Sequence, residues 1–280
     1  MFDGTVAKFT LRRHSEATFP FAALRVSAGS GRRISSLIRS FPFAALSVRM
    51  TEKGISQQSL DRTLKAGTRR SPLALRQAEE VIGHLKEFYP RMIVEISGID
   101  TYGDRDKITP VSDIEGTDFW TREIEDALLR GEIDFAVHSA KDLPDKMPEG
   151  LCVAAITKSI DSSDALISKN NLKIDKLSYG AKVGASSRRR KVQLRKYRDD
   201  FQLVDIRGTI EERIARLKDD KIDAIVVATC ALIRLGLEKK ITEKIPAEIL
   251  TPHPLQGALA VEVRKDNQEL RNILEVLNGR

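Results

Sequence analysis

From about residue 62 the chain alternates short apolar runs with segments whose apolar residues recur every three or four positions. Thr63–Gly67 reads as a strand, and Ser71-Pro72 supplies an N-cap followed by proline in the first helical turn. Leu75, Ala78, Val81, Leu85 and Phe88 then follow at helical spacing. Ile93–Ile99 is a β-rich run, Thr121–Leu129 a helix ended by Gly131, and Asp134–His138 a short buried strand. The pattern repeats further on. Lys182–Ala185 is a strand, Ser187–Tyr197 a helix, Gln202–Ile206 a strand, Thr209–Lys218 a helix and Ala224–Ala228 a strand. Strands alternating with helices of this length predict an α/β fold with parallel sheets covered by helices. Ligands of such sheets bind beyond the carboxyl ends of the strands, where helix N-termini converge.

Several arginines fall at these strand-to-helix junctions. Arg69 and Arg70 precede the Ser71 cap, Arg188, Arg189 and Arg190 follow Ser186-Ser187, and Arg207 precedes a helix that carries Arg213. A cation at a helix N-terminus opposes the helix dipole by roughly 0.3–1 kcal/mol when exposed. An anionic ligand would reverse that sign, and guanidinium forks suit carboxylates. The alternative is that these arginines are solvated or paired with neighbouring Asp and Glu. Asp142 stands at the end of the Phe135–His138 strand, beside the expected cleft, either as a group that stabilises developing positive charge or as a local partner of Lys141. His138 reads as a core histidine.

Composition narrows the function classes. The net charge of +7 resides almost wholly in residues 1–49, where eight Lys and Arg face two acids; the remainder carries 39 basic and 38 acidic residues. A near-neutral body with 5% aromatics argues against a nucleic-acid partner. No apolar run reaches the roughly 20 residues needed to span a bilayer, so no membrane partner is expected. Cys152 and Cys230 lack metal-ligand spacing, so no metal site is expected, and both read as small core residues. Residues 1–61 read as a basic leader, disordered or outside the mature protein. Within it Phe19–Leu24 recurs as Phe41–Leu46. An Arg- and Ser-rich, acid-poor leader suits an organelle transit peptide, whereas Met50 as the true start leaves a cytoplasmic protein.

The same residues carry a family resemblance. Gly67-Thr68-Arg69-Arg70-Ser71-Pro72-Leu73-Ala74-Leu75, Val137-His138-Ser139-Ala140-Lys141-Asp142-Leu143-Pro144 and Gly184-Ala185-Ser186-Ser187-Arg188-Arg189-Arg190 resemble blocks of the porphobilinogen deaminase (hydroxymethylbilane synthase) family. Arg207-Gly208 with Arg213, Arg234-Leu235-Gly236-Leu237 and Gln256-Gly257-Ala258 follow in the family's order. The resemblance implies two β/α domains like type II periplasmic binding proteins with a cleft between them. Their expected limits are 62–157 plus 252–278 for the first and 160–250 for the second. It further implies a transferase of heme and other tetrapyrrole biosynthesis that joins four porphobilinogen molecules into hydroxymethylbilane, with release of ammonia, on a dipyrromethane cofactor. Asp142 would be catalytic, touching pyrrole nitrogens and stabilising the cationic azafulvene. Arg69, Lys141, Ser187, Arg189, Arg190, Arg207, Arg213 and Arg234 would hold substrate and cofactor carboxylates. The family's third α+β domain, with its cofactor-tethering cysteine, is expected to be absent, because the chain ends at Asn278-Gly279-Arg280. No covalent attachment residue is then expected in this chain, and the primer would be held by ionic contacts. A monomer is expected. Glu115–Trp120 departs from the family's Gly-Lys-Gly-Leu-Phe pattern, and Asp118 would weaken anion binding if it faced the cleft. Two readings other than the enzyme remain open: a silent pyrrole- or polycarboxylate-binding module, and a decayed deaminase.

Overall fold

The computed structural model describes residues 62–280 except 107, 110–116, 145 and 220. The basic leader, its repeat and the Glu115-Gly116 end of the divergent segment lie outside the described residues. In chain order, β1 is Thr63–Arg69, α1 Pro72–Phe88, β2 Ile93–Ile99, α2 Tyr102–Arg105, α3 Arg122–Leu129, β3 Phe135–Ser139 and β4 Leu151–Ile156. There follow β5 Asp164–Ser168, β6 Lys182–Gly184, α4 Arg188–Tyr197, β7 Gln202–Val204, α5 Ile210–Ala215, β8 Ala224–Ala228, α6 Thr229–Arg234 and β9 Glu243–Ile245. Strand β10, Leu259–Arg264, and helix α7, Gln268–Leu274, close the chain's order.

The helices start where side chains supply acceptors for orphan amides. Ser71 accepts from the Ala74 amide, Ser187 from that of Arg190, and Thr209 forms a capping box with Glu212. Helix α1 turns Ala74, Ala78, Val81, Ile82 and Leu85 inward. All but Ala74 pack with Leu64 on β1, the fully buried Phe135 on β3 and Val261 and Val263 on β10. Burying each large apolar side chain contributes roughly 1.5–3 kcal/mol. A second cluster gathers Leu166, Val183, Leu194, Phe201 and Val226.

Two five-stranded sheets result, ordered β2-β1-β3-β10-β4 and β7-β6-β8-β5-β9. This is the arrangement of type II periplasmic-binding-protein folds: two β/α lobes and a cleft. The sheets are mixed, which corrects the parallel expectation. β1 runs parallel to β2 and β3, and β6 to β7 and β8, but β10 is antiparallel to β3 and β4, and β5 to β8 and β9. The cause is the chain path. It crosses between sheets after β4 and again after β9, and each crossing delivers a strand that enters the next sheet from the opposite end. Two strands and one helix are also shorter than their patterns suggest. β6 stops at Gly184, and the next strand-helix unit ends its strand at Val204 and its α-helix at Ala215, with a single 3₁₀ turn over Arg216–Lys218.

The crossings lie side by side. The Ser159 hydroxyl donates to the Gln256 carbonyl at 2.7 Å, and the Gln256 amide nitrogen donates to the carbonyls of Ser162 and Ser163 at 2.7 and 3.1 Å. Gly257 has φ +89°, and a Cβ there would lie 2.6 Å from the Asp161 carbonyl oxygen and 2.3 Å from Ser159 Oγ. Both the backbone conformation and the contact demand glycine. Gly257→Ala is therefore expected to cost about 1–3 kcal/mol, read as a lower denaturant midpoint.

Candidate functional site

Each parallel strand ends at the same cleft, of about 870 Å³. Arg69 is the last residue of β1, and Ser139 the last of β3. Lys141 and Asp142 follow on a 3₁₀ turn. From the second lobe come Ser187 and Arg189 at the start of α4, Arg207 after β7, Arg213 on α5 and Arg234 on α6. The nine residues singled out from the sequence thus all line one cavity. Its volume falls in the upper part of the range typical of small-molecule sites, about 300–1,000 Å³.

The arginines divide into two groups by what they touch. At the first junction Arg69 Nε donates to Asp104 Oδ1 and Oδ2 at 3.1 and 3.2 Å, and its Nη2 also meets Oδ1. Burial pushes the Asp104 carboxyl up, but Arg69 outweighs it and holds the group below the usual carboxylate range. At the second junction Asp164, fully buried, takes Arg189 Nη2 at 2.7 Å and Arg190 Nη2 at 2.5 Å. Burial again raises the carboxyl and the paired guanidinium groups, Arg190 foremost, bring it below its ordinary value. Arg234 is bound bidentately by Glu80 on α1, at 2.7 and 2.9 Å, and is itself almost wholly buried. At these two junctions, and at Arg234 outside them, the fold pairs the arginines with acids that are distant in sequence.

The third junction differs. Arg207 Nη2 donates to the carbonyls of Gly103, at 3.2 Å, and Asp106 across the cleft, while its buried Nη1 has no partner among the described residues. Arg213 donates to the Gly208 carbonyl at 2.9 Å and the Ser186 hydroxyl at 3.0 Å. Burial, reinforced by Arg190, Arg207 and Arg69, pushes Arg213 down to about 10, where it is still charged at neutral pH. Lys141 donates to Gln256 Oε1 at 3.2 Å; burial and Arg190 lower its pKa. Neutral acceptors do not cancel charge. Among the described residues, Lys141, Arg207 and Arg213 thus face the cleft without an ion-paired carboxylate.

Asp142 has no hydrogen-bond partner among the described residues, so it is not the local partner of Lys141. Its charge acts favourably on Lys141, Arg213 and His253, which puts it amid the cleft's cations. Asp118 is turned to Arg122, at 2.7 Å, and does not line the cleft. The weakening foreseen for it does not arise by that route. Cys230 is buried in the cleft wall, where burial raises its thiol, and Cys152 is half-buried against the first lobe's core.

Four contributors were not singled out from the sequence. Asp104 and Asp164 are ordinary acids in sequence, each near a strand end with no motif of its own. Gln256 was visible only inside its Gln-Gly-Ala block; it is fully buried and joins Asp164, Arg190 and Lys141. Trp120, the chain's single tryptophan, lies 4.2 Å under the Arg69 guanidinium and 5.0 Å from that of Arg207. Such stacking is worth roughly 0.5–2 kcal/mol per contact. Gly103 permits it, since a Cβ there would meet the indole at 2.2 Å.

Comparison with known proteins covers the same stretch. The model of the family described as "Porphobilinogen deaminase, dipyromethane cofactor binding domain" matches residues 64–272. Porphobilinogen deaminase of Natranaerobius thermophilus is 46% identical over 216 residues, spanning 77% of this chain and 70% of that protein. The Geobacter sulfurreducens enzyme is 45% identical, over 77% of this chain and 67% of its own length. That of Deinococcus deserti is 48% identical over 72% and 66%. Solved structures of similar shape include the methionine binding protein MetQ, TM-score 0.48 at 15% identity over 77% of this chain and 88% of that one. A putative methionine-binding lipoprotein of Bacillus subtilis has TM-score 0.49 at 12% identity over 78% and 91%. Since the family match runs through both lobes and every strand end that meets in the cleft, the chain belongs to the porphobilinogen deaminase family, transferases of tetrapyrrole biosynthesis.

Proposed function

We propose that the cleft binds porphobilinogen and a dipyrromethane cofactor, and that Asp142 carries the condensation that yields hydroxymethylbilane. The observation that supports it is the set of cations that, among the described residues, have no ion-paired carboxylate, Lys141, Arg207 and Arg213, around a carboxylate that has no hydrogen-bond partner among those residues. The pyrroles of this pathway carry acetate and propionate groups. A dipyrromethane offers four such carboxylates, and the orphaned Arg207 Nη1 is a buried donor suited to one of them. When bound, the cofactor would supply the free pyrrole carbon to which the first unit joins, each later unit joining the end of the growing chain.

The chain's own groups do the rest. Arg207, Arg213 and Lys141 clamp ligand carboxylates through charge-assisted hydrogen bonds. Arg69 and Arg189, each already tied to an acid, orient them with less net charge, and Ser187 contributes a hydroxyl at the α4 cap. Arg190 and Arg234 have a different task in this reading: they hold the crossings and the two lobes in register. The Asp142 carboxylate accepts a hydrogen bond from a pyrrole N–H and stabilises the positive charge that grows as the carbon–nitrogen bond to ammonia breaks. The near-neutral body supports a protein that works without nucleic acid, and we read it as a cytoplasmic monomer of two domains, 62–157 plus 252–278 and 160–250. No helix of the described residues is long and apolar enough to cross a membrane.

With purified full-length chain, porphobilinogen consumption is expected and is expected to fall about 10²-fold or more in Asp142→Asn, with the thermal midpoint unchanged. A well-folded wild type that consumes no porphobilinogen, even with added dipyrromethane, sinks the enzymatic reading. Binding without ammonia release would identify a binding module instead. The two classes of arginine should separate in the same assay. Arg213→Gln removes a charge-assisted contact of about 1.5–3 kcal/mol, so KM rises roughly ten- to hundredfold at near-constant stability. Arg234→Gln strands Glu80, and its main effect is a loss of about 3 kcal/mol in unfolding free energy by denaturant titration.

A further inference from the structure

Beneath the Asp142 turn, on the face of the first sheet that α3 covers, three titratable side chains are buried together. They are His138 on β3, Glu262 on β10 and Glu125 on α3, at 5%, 0% and 3% exposure. His138 Nε2 lies 3.1 Å from Glu262 Oε2. Oε1 of Glu262 and Oε1 of Glu125 are both buried without a hydrogen-bond partner among the described residues. The β10–β4 ladder shifts register between Val261 and Glu262, a bulge of the kind that re-aims a side chain. Among the described residues no cation other than His138 is ion-paired with either carboxylate. Ile124, Leu128, Ala136 and Leu151 form the packing, the Thr121 hydroxyl near Glu125 favours its ionised form, and Asp118 adds a further negative charge. Arg264, two residues beyond Glu262, spends its Nη1 on the carbonyls of Leu128 and Ile133.

Two ionised carboxylates and one imidazole in such a pocket leave at least one uncompensated buried charge, which is strongly unfavourable. Ionised carboxylates are acceptors only, so two orphaned oxygens cannot satisfy each other. If one carboxyl keeps its proton, a single negative charge is left beside the imidazole and one orphaned oxygen becomes a donor. Burial pushes Glu125 up against the Thr121 hydrogen bond, and Glu262 adds to the rise. We propose that Glu125 is a positioning residue, a neutral carboxylic acid held beside the Glu262–His138 pair, so that this pair stays balanced beneath the end of β3 and the Asp142 turn. The turn's other ties are already seen: Gln77 donates to the Ser139 hydroxyl at 2.9 Å, and the Ala140 amide to the Ala258 carbonyl at 3.0 Å. Only the turnover arm of the test rests on the function proposed above.

The sign of the pH effect follows. An acid whose folded pKa is raised contributes stability that is complete below its unfolded value and is lost as pH rises through the folded one. Glu125→Gln keeps a neutral donor and cannot titrate. Infrared spectra of the full chain at neutral pH should therefore show a deuterium-sensitive band of a buried protonated carboxyl. It is expected in wild type and in Asp142→Asn and missing in Glu125→Gln. Toward alkaline pH, wild type should lose thermal stability relative to Glu125→Gln. In the turnover assay Glu125→Gln should move the alkaline limb of kcat upward by about one pH unit or more, with KM within about twofold. No such band in wild type, or its persistence in Glu125→Gln, overturns the proposal, as does failure of the isosteric variant to fold. Loss of the band with an unmoved kcat profile overturns the positioning role. An inactive wild type that shows the band fails the proposed function alone and leaves the protonation assignment standing.

Discussion

The cleft depends on one buried carboxylate. Asp164 begins β5, is fully buried, and takes Arg189, Arg190 and Gln256 at once. Without it, two guanidinium groups at the start of α4 would oppose both the helix dipole and each other. With it, they become fixed structural cations that sit where the first crossing delivers its strand. Gln256 carries the same network into the second crossing and on to Lys141. The position of the cleft's cations, the pairing of the crossings and the placement of the Asp142 turn are therefore parts of a single hydrogen-bonded system. Burying such a system is tolerable only because nearly every polar atom in it is satisfied.

Much of this was legible in the chain. Helices were readable from Ser71-Pro72, Ser187 and Thr209, because caps and periodicity are local properties. The cleft's address followed from the general behaviour of strand ends, and nine of its side chains were named from their junction positions and motif blocks. What the residues could not show is which arginines would already be spent. Arg69 meets an acid 35 positions away, Arg189 one 25 positions away and Arg234 one 154 positions away. Ion pairing at such separations is set by tertiary contact, so a cluster of basic residues in sequence overstates the charge a ligand would feel.

The mixed sheets were illegible for a related reason. A strand's apolar pattern records burial, and β5 and β10 are buried on both sides in the same way as their parallel neighbours. Direction is decided by where the chain enters, which depends on the crossings at about residues 157–163 and 246–258. Trp120 entered the sequence reading only as the end of the divergent Glu115–Trp120 segment, where no local pattern shows which side chains an indole will meet. Its ring lies between two lobes' arginines, an arrangement that needs the missing side chain of Gly103.

The insertion of β10 between β3 and β4 has a consequence for synthesis. The second sheet is drawn from one uninterrupted stretch of chain, β5 to β9, and can complete its pairing as soon as that stretch leaves the ribosome. The first sheet cannot. The strand that lies between β3 and β4 is the last of its five to be made, so their facing edges wait unpaired through the translation of more than one hundred residues. Those edges are apolar and would pair with any extended neighbour. The lobe that carries Asp142 is thus the one most exposed to aggregation during biogenesis, and the later-made residues 259–264 act as its internal clasp.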